Sequence, residues 1–327
     1  MRFPEIDVII IGSGISGLSA AVELKRLGKQ VLIIDKGFYP GGRLATKSVD
    51  NLNFNYGTPC LPNAVSANYK DLLTRLTNKN IIRQSNNKKI FWSTKGLREI
   101  CLFLSSNFNT LQGNKVTRIV ENEANILVYN EKGFVASAPK IIISVPAPQA
   151  ATLLETISPE MSLGAKQVVY ASCWTILLGF PSKSNIPSIL SFEDESGGLS
   201  SIVCEKNSGP EVKELSHTIR MSDKWSKTKL DFPKPIILEQ ALKELKRLGI
   251  YTKTAPPKIS YCHLWRYSQV IKALSPDVTT ISPKRNIGIA GELPEGIADR
   301  LESVLQKFQV MKFLKILLIL KRRGLTI

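Results

Sequence analysis

A glycine-rich turn between a buried strand and a helix constrains the fold of this chain more than any other feature. An apolar run of strand length occupies residues 6–11, and Gly-Ser-Gly-Ile-Ser-Gly follows directly at 12–17. Apolar residues at helical spacing come next, up to Leu27, and Gly28 ends that pattern. A second apolar run, 31–34, leads into Asp35. This order of strand, glycine turn, helix, strand and acid predicts a parallel βαβ unit that binds a dinucleotide.

The residue types in the turn suit a diphosphate. Gly12 permits the tight turn, Gly14 lets a phosphate approach the backbone, and Gly17 lets the helix pack closely on the sheet. The phosphates would then sit at the helix N-terminus, where free N–H groups favour negative charge. We expect Asp35 to accept hydrogen bonds from both hydroxyls of the adenosine ribose, which argues against the 2′-phosphate of NADP. The predicted contacts of this unit are Gly12, Ser13, Gly14, Ile15, Ser16, Gly17, Asp35 and Lys36.

A second glycine pair, Gly41-Gly42, is followed by Arg43 and favours FAD over NAD. In a plain NAD enzyme the residues after the acid usually lead into another helix. Here residues 36–42 form a short loop rich in glycine, proline and aromatic residues. Arg43 can bind a phosphate bidentately from such a loop. No cysteine or histidine motif announces a covalent attachment, so we expect noncovalent FAD.

Composition narrows the class of protein. At 327 residues the chain is long enough for two domains, and 43% of its residues are hydrophobic. Its net charge of +17 is spread along the chain without a nucleic-acid recognition motif, so we expect an anionic small-molecule substrate and no nucleic acid. Five cysteines without a Cys-x-x-Cys pair, and only two histidines, predict no metal site. No run reaches transmembrane length and the chain enters a strand almost at once, so we expect a cytoplasmic protein without a signal peptide.

The rest of the chain divides into two parts that differ in predicted secondary structure. Helices are predicted at 69–76, in an otherwise irregular stretch 61–95, and at 95–105; residues 114–120, 125–129 and 133–138 alternate like hairpin strands, and 140–146 is a buried strand. Between 150 and 265 alternating strands dominate, at 171–180, 199–204, 216–221 and 258–267, with one helix at 236–248. We predict an α/β fold: a Rossmann-type FAD-binding domain of three-layer ββα architecture (1–65, 95–148 and 280–327) and a second α+β domain with a mostly antiparallel sheet (66–94 and 149–279).

Several segments together resemble the renalase-like branch of the flavin amine oxidase superfamily, nearly from end to end. They are the turn at 12–17 with Asp35-Lys36, Gly41-Gly42-Arg43, Asn55-Tyr56-Gly57, Lys115-Val116, the stretch IIISVPAPQA at 141–150, the strand at 173–180 that begins Cys-Trp, His217 followed by Trp225-Ser226, His263-Leu264-Trp265-Arg266-Tyr267, and Gly291-Glu292. The resemblance adds Asn55, Gly57, Val116, Pro146, Gly291, Glu292, Gly296 and Ile297 to the expected FAD contacts.

The resemblance implies an oxidase. A hydride would pass from substrate to flavin N5, and O₂ would reoxidise the flavin with release of peroxide. Such enzymes act on misformed dihydro isomers of NAD(P)H, which are flat and anionic, and the wider superfamily acts on amines. The substrate-contact candidates are Trp174, His217, Trp225, Trp265 and Arg266. For each an ordinary structural role stays open: core packing for the tryptophans and His217, and an ion pair for Arg266.

Departures from the family pattern leave two alternatives open. Glu292 replaces the usual aspartate, Leu301 falls where a small residue permits close helix packing, and residues 56–61 lack the usual aromatic after the glycine. These favour a flavin-binding protein that has lost catalysis. An apolar stretch at 313–320 followed by Lys321-Arg322-Arg323 is the basis for a desaturase-like enzyme at a membrane surface. Eight residues cannot span a bilayer, and we expect the tail to be a docked or frayed end. The oligomeric state stays open.

Overall fold

The computed structural model describes residues 5–62, 67–85, 90–93, 95–181, 189–191, 198–205, 214–250, 256–273, 281–282 and 286–290. The helices are α1 Ile15–Arg26, α2 Ala67–Asn78, α3 Arg98–Ser105, α4 Ala147–Leu154, α5 Pro159–Lys166, α6 Asp223–Lys227 and α7 Lys234–Arg247, with a 3-10 turn at Gly42–Leu44. The strands are β1 Val8–Ile11, β2 Val31–Ile34, β3 Thr46–Val49, β4 Leu52–Asn55, β5 Leu61–Pro62, β6 Arg83–Gln84, β7 Ile90–Trp92, β8 Asn109–Leu111, β9 Val116–Glu121, β10 Ile126–Asn130, β11 Gly133–Ala138, β12 Lys140–Ile143, β13 Val169–Pro181, β14 Ile189–Ser191, β15 Leu199–Glu205, β16 Glu214–Met221, β17 Ile259–Lys272, β18 Ile281–Ser282 and β19 Ile287–Ile289.

The chain forms two compact units. The first contains residues 1–40, 103–169 and 272–327, and the second contains 41–102 and 170–271. Residues 41–65 and 95–102 thus cluster with the second unit, whereas the sequence-based division placed them with the cofactor domain. The functional division of the chain into cofactor and substrate domains stays a prediction.

The first unit has the expected three-layer Rossmann architecture. Its six-stranded sheet has the order β18-β19-β12-β1-β2-β8, and every pair is parallel except β18 with β19. Ile9 and Ile11 of β1 point into a core shared with the antiparallel sheet β11-β10-β9 and with α4. Ile10 faces the opposite way, against Gly17 of α1. This alternation of side chains places a sheet on one face and a helix on the other.

Helix α1 forms because its apolar residues recur at helical spacing. Leu18, Ala21 and Leu24 are all buried on its inner side. The helix ends at Arg26, and Gly28 just beyond it has a φ of +73°, a left-handed backbone conformation that glycine adopts without strain. The chain then returns at once to β2, the neighbour of β1, which completes the predicted βαβ unit.

The second unit is built on a five-stranded sheet with the order β14-β15-β16-β13-β17. Its β14–β15, β15–β16 and β13–β16 pairs are antiparallel, as predicted. One face packs against α7 through Ile176, Leu178 and Ile237. The other face carries Leu177 and Ile259, which pack on Leu52 and Phe54 of the β3–β4 hairpin. The mixed α+β character expected for this part of the chain is therefore present.

Two sequence-based expectations for the elements were incomplete. The stretch 61–95 contains the predicted helix, as α2, but also the small sheet β5-β7-β6. Residues 150–265 contain α5 and α6 in addition to the predicted α7. These elements are short, so the chain carries too few residues of each to establish a hydrophobic period. The five cysteines form no disulfide.

Candidate functional site

The glycine turn of the first unit brings the backbone closer than any side chain would allow. Gly12 has a φ of +110°, and a Cβ there would lie 2.6 Å from the Ser144 carbonyl oxygen. A Cβ at Gly17 would lie 2.2 Å from the Gly12 carbonyl oxygen and 2.9 Å from Ser144 Oγ. Real Cβ atoms do not approach so closely, so both positions require glycine. Gly12 N donates to Ile34 O over 2.8 Å, which ties the turn to the end of β2.

The first turn of α1 is open to an anion. The helix begins after Gly14 with no side-chain cap and no acidic residue in its first turn. The N–H groups that begin a helix have no partner within the helix, and the helix dipole gives them partial positive charge. Ile15, Ser16 and Gly17 supply these N–H groups, and their contact with FAD stays a prediction. A phosphate is the type of group that such a helix start binds.

Asp35 lies beside this turn and is held by three protein donors. Its Oδ2 accepts from Ser13 N over 2.5 Å and from Ser13 Oγ over 2.9 Å. Its Oδ1 accepts from Gly37 N over 2.6 Å. Asp35 N donates to Leu111 O, and Asn114 N donates to Asp35 O, so the backbone at Asp35 is tied to the end of β8 and the segment that follows it. Contact of Asp35 with a ribose stays a prediction.

Two other predicted contacts of the first unit, Lys36 and Pro146, follow the carboxyl ends of the parallel strands β2 and β12. Lys36 Nζ donates to Gln149 Oε1 of α4 over 3.3 Å. Pro146 is the cap residue of α4. In open parallel sheets, ligands bind outside the carboxyl ends of the strands, so Lys36 and Pro146 suit a bound nucleotide. Val116 instead begins β9 of the antiparallel sheet, and its contact with FAD stays a prediction.

Two buried polar atoms in this region have no hydrogen-bond partner among the described residues: Ser144 Oγ and Gln112 Oε1. Buried polar atoms are normally paired, because leaving one unpaired costs about 1–3 kcal/mol. The two close glycine approaches, the open helix start, the fixed acid and these two atoms together fit a dinucleotide.

The arginine loop belongs to the second unit. Gly41 and Gly42 have φ values of +150° and +52°, which explains the glycine pair. Arg43 donates through one guanidinium nitrogen to Ser268 O over 3.2 Å, and burial lowers the pKa of its side chain. A Cβ at Gly57 would lie 2.1 Å from Arg43 O, so Gly57 is required for this packing. Contact of Arg43 with a phosphate stays a prediction.

Asn55 already has partners within the second unit. Its Oδ1 accepts from Thr46 Oγ1 and from Leu97 N, both over 2.8 Å. The side chain is 2% exposed. These bonds join the hairpin to the segment before α3, which is a structural reason for Asn55; its contact with FAD stays a prediction.

Trp265 is part of an aromatic cluster on the hairpin side of the large sheet. Its ring stacks on Tyr56 at 5.3 Å and meets His263 edge-on at 4.6 Å. Trp265 Nε1 donates to Tyr56 O over 2.8 Å. Burial and nearby Lys234 lower the pKa of His263 to about 4, so the imidazole is neutral at pH 7. We name Tyr56, His263 and Trp265 the aromatic cluster.

Cationic side chains lie beside Tyr261 and beside Tyr56. Lys47 Nζ lies 4.3 Å and Lys234 Nζ lies 5.2 Å from the centroid of the Tyr261 ring, on the same face of β17 as His263. A hydrogen bond from Arg98 partly offsets the raised pKa that burial gives the Tyr56 hydroxyl. Lys47 and Lys234 therefore both lie over the ring of Tyr261, next to His263 in β17.

Trp174 and His217 lie on the opposite, α7 side of the same sheet. Trp174 is 3% exposed in the cluster that α7 covers, and its Nε1 donates to Lys229 O over 3.0 Å. His217 is fully buried with its ring edge-on to Phe180, and burial lowers its pKa to about 4. Both positions are typical of core residues, and a substrate contact of either stays a prediction.

Trp225 and Arg266 lie near α6. Trp225 is in α6 with Lys229 Nζ 4.4 Å from its ring centroid, and a Cβ at Gly198 would lie 2.8 Å from its ring. Arg266 forms an ion pair with Asp231 over 2.9 Å. The sequence left two roles open for Arg266, an ion pair and a substrate contact, and the structure shows the ion pair.

Four predicted FAD contacts, Gly291, Glu292, Gly296 and Ile297, lie outside the described residues, as do Leu301 and the tail 311–327. In the described part of the chain, no group of three or more His, Cys, Asp or Glu side chains is placed to hold a metal ion. None of the helices that the structure describes combines the length and the apolar character needed to cross a bilayer.

The sequence did not identify Gln112, Lys47 or Lys234 as candidate site residues. Tyr56 was included only as part of the segment Asn55-Tyr56-Gly57. Gln112 directly follows the edge strand β8, so its position beside Asp35 could be inferred only by first pairing β2 with β8. The lysines carried no signal, because lysine is spread along the whole chain.

The glycine turn lies in a segment that matches a known protein-domain family. Residues 10–76 match the NAD(P)-binding Rossmann-like domain. Curated relatives that match over a short stretch include the inactive all-trans-retinol 13,14-reductase of Danio rerio, 46% identical over 52 residues, and the 1-hydroxycarotenoid 3,4-desaturase of a Flavobacterium species, 47% identical over 49 residues. These stretches cover 16% and 15% of this chain, and only 9% and 10% of the relatives' own length.

Solved structures match over nearly the whole chain at low sequence identity. Putrescine oxidase bound to putrescine has a TM-score of 0.69 at 12% identity, and the match covers 95% of this chain and 100% of that chain. Cyclohexylamine oxidase from Brevibacterium oxydans has a TM-score of 0.66 at 13% identity, with coverage of 94% and 100%. A putative protoporphyrinogen oxidase from Exiguobacterium has a TM-score of 0.66 at 13% identity, with coverage of 95% and 100%.

This chain has an amine oxidase-type fold. At these identities the likeness establishes the fold and leaves the substrate open.

Proposed function

We propose that the protein is an FAD-dependent oxidoreductase that oxidises a flat, anionic substrate of the dihydronicotinamide type. The observation that carries the proposal is the arrangement of Gly12, Gly17 and Asp35 around an uncapped helix start. FAD bound there would supply the hydride acceptor, and O₂ is the proposed final electron acceptor. The renalase-like assignment is part of the proposal, supported by the sequence segments that resemble that branch.

The chain's own residues would bind and orient the two molecules. The α1 amides would hold the diphosphate, and Asp35 would hold the adenosine ribose. On the substrate side, Tyr56 and Trp265 would pack against a planar ring. Neutral His263 can accept a hydrogen bond from a carboxamide without adding charge. Hydride removal from a dihydropyridine needs no strong base, which is consistent with a protein that contributes orientation and electrostatics.

The positive charge near the aromatic cluster favours one of the two substrate classes that the sequence left open. Lys47, Lys234 and Arg98 would attract a phosphate-bearing substrate, whereas a protonated amine would be repelled. We therefore favour a dihydronicotinamide dinucleotide over an amine.

Anaerobic stopped-flow spectroscopy tests this proposal. Purified protein should show the flavin absorbance bands, and dihydronicotinamide isomers should bleach them faster than simple amines do. Lys47→Gln should raise the apparent Kd for the dihydronicotinamide. Lys243→Gln is the matched control, since Lys243 is exposed and pairs with Glu239 on α7. A colourless protein that takes up no added FAD would overturn the proposal.

A desaturase-like activity is the second candidate, favoured by the name of one relative, a 1-hydroxycarotenoid 3,4-desaturase. The likeness covers only 15% of this chain and 10% of that relative, so it is weak support for a shared substrate. Bleaching by an apolar polyene and by no dihydropyridine would favour this candidate. Bound flavin that no compound reduces would instead indicate a protein without catalysis.

A further inference from the structure

Asp35 is nearly saturated by the protein itself. A carboxylate has about four sites for hydrogen bonds. Ser13 N, Ser13 Oγ and Gly37 N occupy three of them. The adenosine ribose brings two hydroxyl donors, so Asp35 has room for one and the second hydroxyl needs another acceptor.

Gln112 carries a second acceptor, and its side chain lies beside Ser13. Its Nε2 lies 3.3 Å from Ser13 Oγ. The Ser13 hydroxyl has a single proton, which it gives to the Asp35 carboxylate, so the hydroxyl oxygen must accept from Gln112. This fixes the orientation of the Gln112 amide, because only its NH₂ end can donate to Ser13. The Oε1 end then points away from Ser13, is buried, and has no donor among the described residues.

The segment around Gln112 is rigidly attached to the loop that follows β2. Asn114 N donates to Asp35 O over 2.8 Å, and Gly113 N donates to Gly37 O over 2.8 Å. Asn114 Nδ2 also donates to Gln112 O over 2.9 Å. Gln112 is therefore held in place before any ligand binds, which reduces the entropy that binding would cost.

We propose that the two ribose hydroxyls are divided between Asp35 and Gln112, with Gln112 Oε1 accepting one of them. This replaces the sequence-based expectation that Asp35 accepts both. The inference rests on the proposed function, since it assigns a residue to the ribose of the proposed cofactor. It makes Gln112 a binding residue for the adenosine half of FAD.

The test is a titration of flavin-free protein with three forms of FAD, followed by flavin fluorescence. The three are FAD itself and the analogues that contain 2′-deoxyadenosine or 3′-deoxyadenosine. Wild-type protein should bind both analogues more weakly than FAD, because each analogue leaves one protein acceptor unpaired. Gln112→Met, which keeps the length of the side chain and removes its polar atoms, should weaken FAD binding about tenfold.

The pattern across the three ligands identifies the contact. Gln112→Met should bind one of the two deoxy analogues as well as wild type does, since the hydroxyl that Gln112 would bind is already missing. Gln167→Met makes the same chemical change at an exposed position after α5 and should bind all three ligands like wild type.

Two results would overturn the inference while leaving the proposed function intact: equal loss of affinity for all three ligands in Gln112→Met, or no loss at all. Wild-type protein that loses affinity for only one deoxy analogue would also overturn it, without help from any variant. Wild-type protein that binds no form of FAD would overturn both the inference and the proposed function.

Discussion

Trp265 donates its indole N–H to the backbone carbonyl of Tyr56 over 2.8 Å, while the two rings stack with centroids 5.3 Å apart. The bond joins the edge strand β17 to the segment that follows the β3–β4 hairpin. It holds a large aromatic ring in one orientation beside neutral His263. A ring fixed in this way loses little freedom when a planar ligand packs against it, and the same bond can be removed by a conservative substitution.

Trp265→Phe and Trp174→Phe form a matched pair that tests which tryptophan contacts substrate. Each removes one indole hydrogen bond, to Tyr56 O or to Lys229 O, so each should lower the free energy of unfolding by about 1 kcal/mol. Only Trp265→Phe should also change the apparent Kd of the substrate in stopped-flow reduction. An effect on substrate from Trp174→Phe alone would contradict the placement of the substrate on the aromatic cluster.

Gly17→Ala should abolish tight FAD binding. The added Cβ would lie 2.2 Å from Gly12 O, so the diphosphate-binding turn must open. We expect FAD affinity to fall about 100-fold, which is equivalent to about 3 kcal/mol. Fluorescence titration measures this directly.

Gly28→Ala is the control for that variant. Gly28 also has a left-handed backbone, with φ +73°, but no atom lies within 4 Å of an added Cβ. The substitution should cost about 1 kcal/mol of stability through backbone strain and leave the Kd for FAD unchanged. Equal FAD affinity in Gly17→Ala and wild type would show that the turn does not bind the diphosphate.

Buried His217 should make the protein less stable as pH falls from about 6.5 to about 4. Burial lowers its pKa to about 4 in the folded protein, whereas an unfolded histidine titrates near 6.5. Between these values the unfolded chain binds more protons than the folded one, so protonation favours unfolding. The loss at the lower end should approach about 3 kcal/mol from this residue.

Urea unfolding at a series of pH values measures the effect. His217→Leu should flatten the pH dependence across this window, whatever its effect on stability at pH 7. His263 shifts in the same direction, so some slope should persist in the variant. Parallel pH curves for wild type and His217→Leu would contradict a depressed pKa at His217.

Arg266→Gln should have little effect on the stability of the protein or on substrate binding. Its ion pair with Asp231 is exposed, with 52% and 88% of the two side chains accessible to solvent, and such pairs contribute less than about 1 kcal/mol. The apparent Kd of the substrate should be unchanged in stopped-flow reduction. A clear loss of substrate affinity would favour the ligand contact that the sequence left open.

The βαβ unit of this protein was predictable because its signal is local. Gly12, Gly14, Gly17 and Asp35 lie within one βαβ unit, where each residue type answers to a short-range requirement of backbone conformation or charge. The three-layer architecture was confirmed for the same reason, since strand length and alternation are visible in the sequence. The short strands β5, β6 and β7 were missed because two or three residues carry no period.

The sequence alone thus determined a dinucleotide-binding βαβ unit and an antiparallel partner sheet. The sequence does not distinguish Trp174 from Trp265, since both lie in predicted strands that have an alternating pattern and contain aromatic residues. Tertiary structure decided that Trp174 packs in the core under α7 while Trp265 meets Tyr56, because the face that a strand residue occupies depends on how its strand pairs within the sheet. It also decided that Gln112 lies beside Ser13, 99 positions away in the chain, because only the pairing of β2 with β8 brings them together.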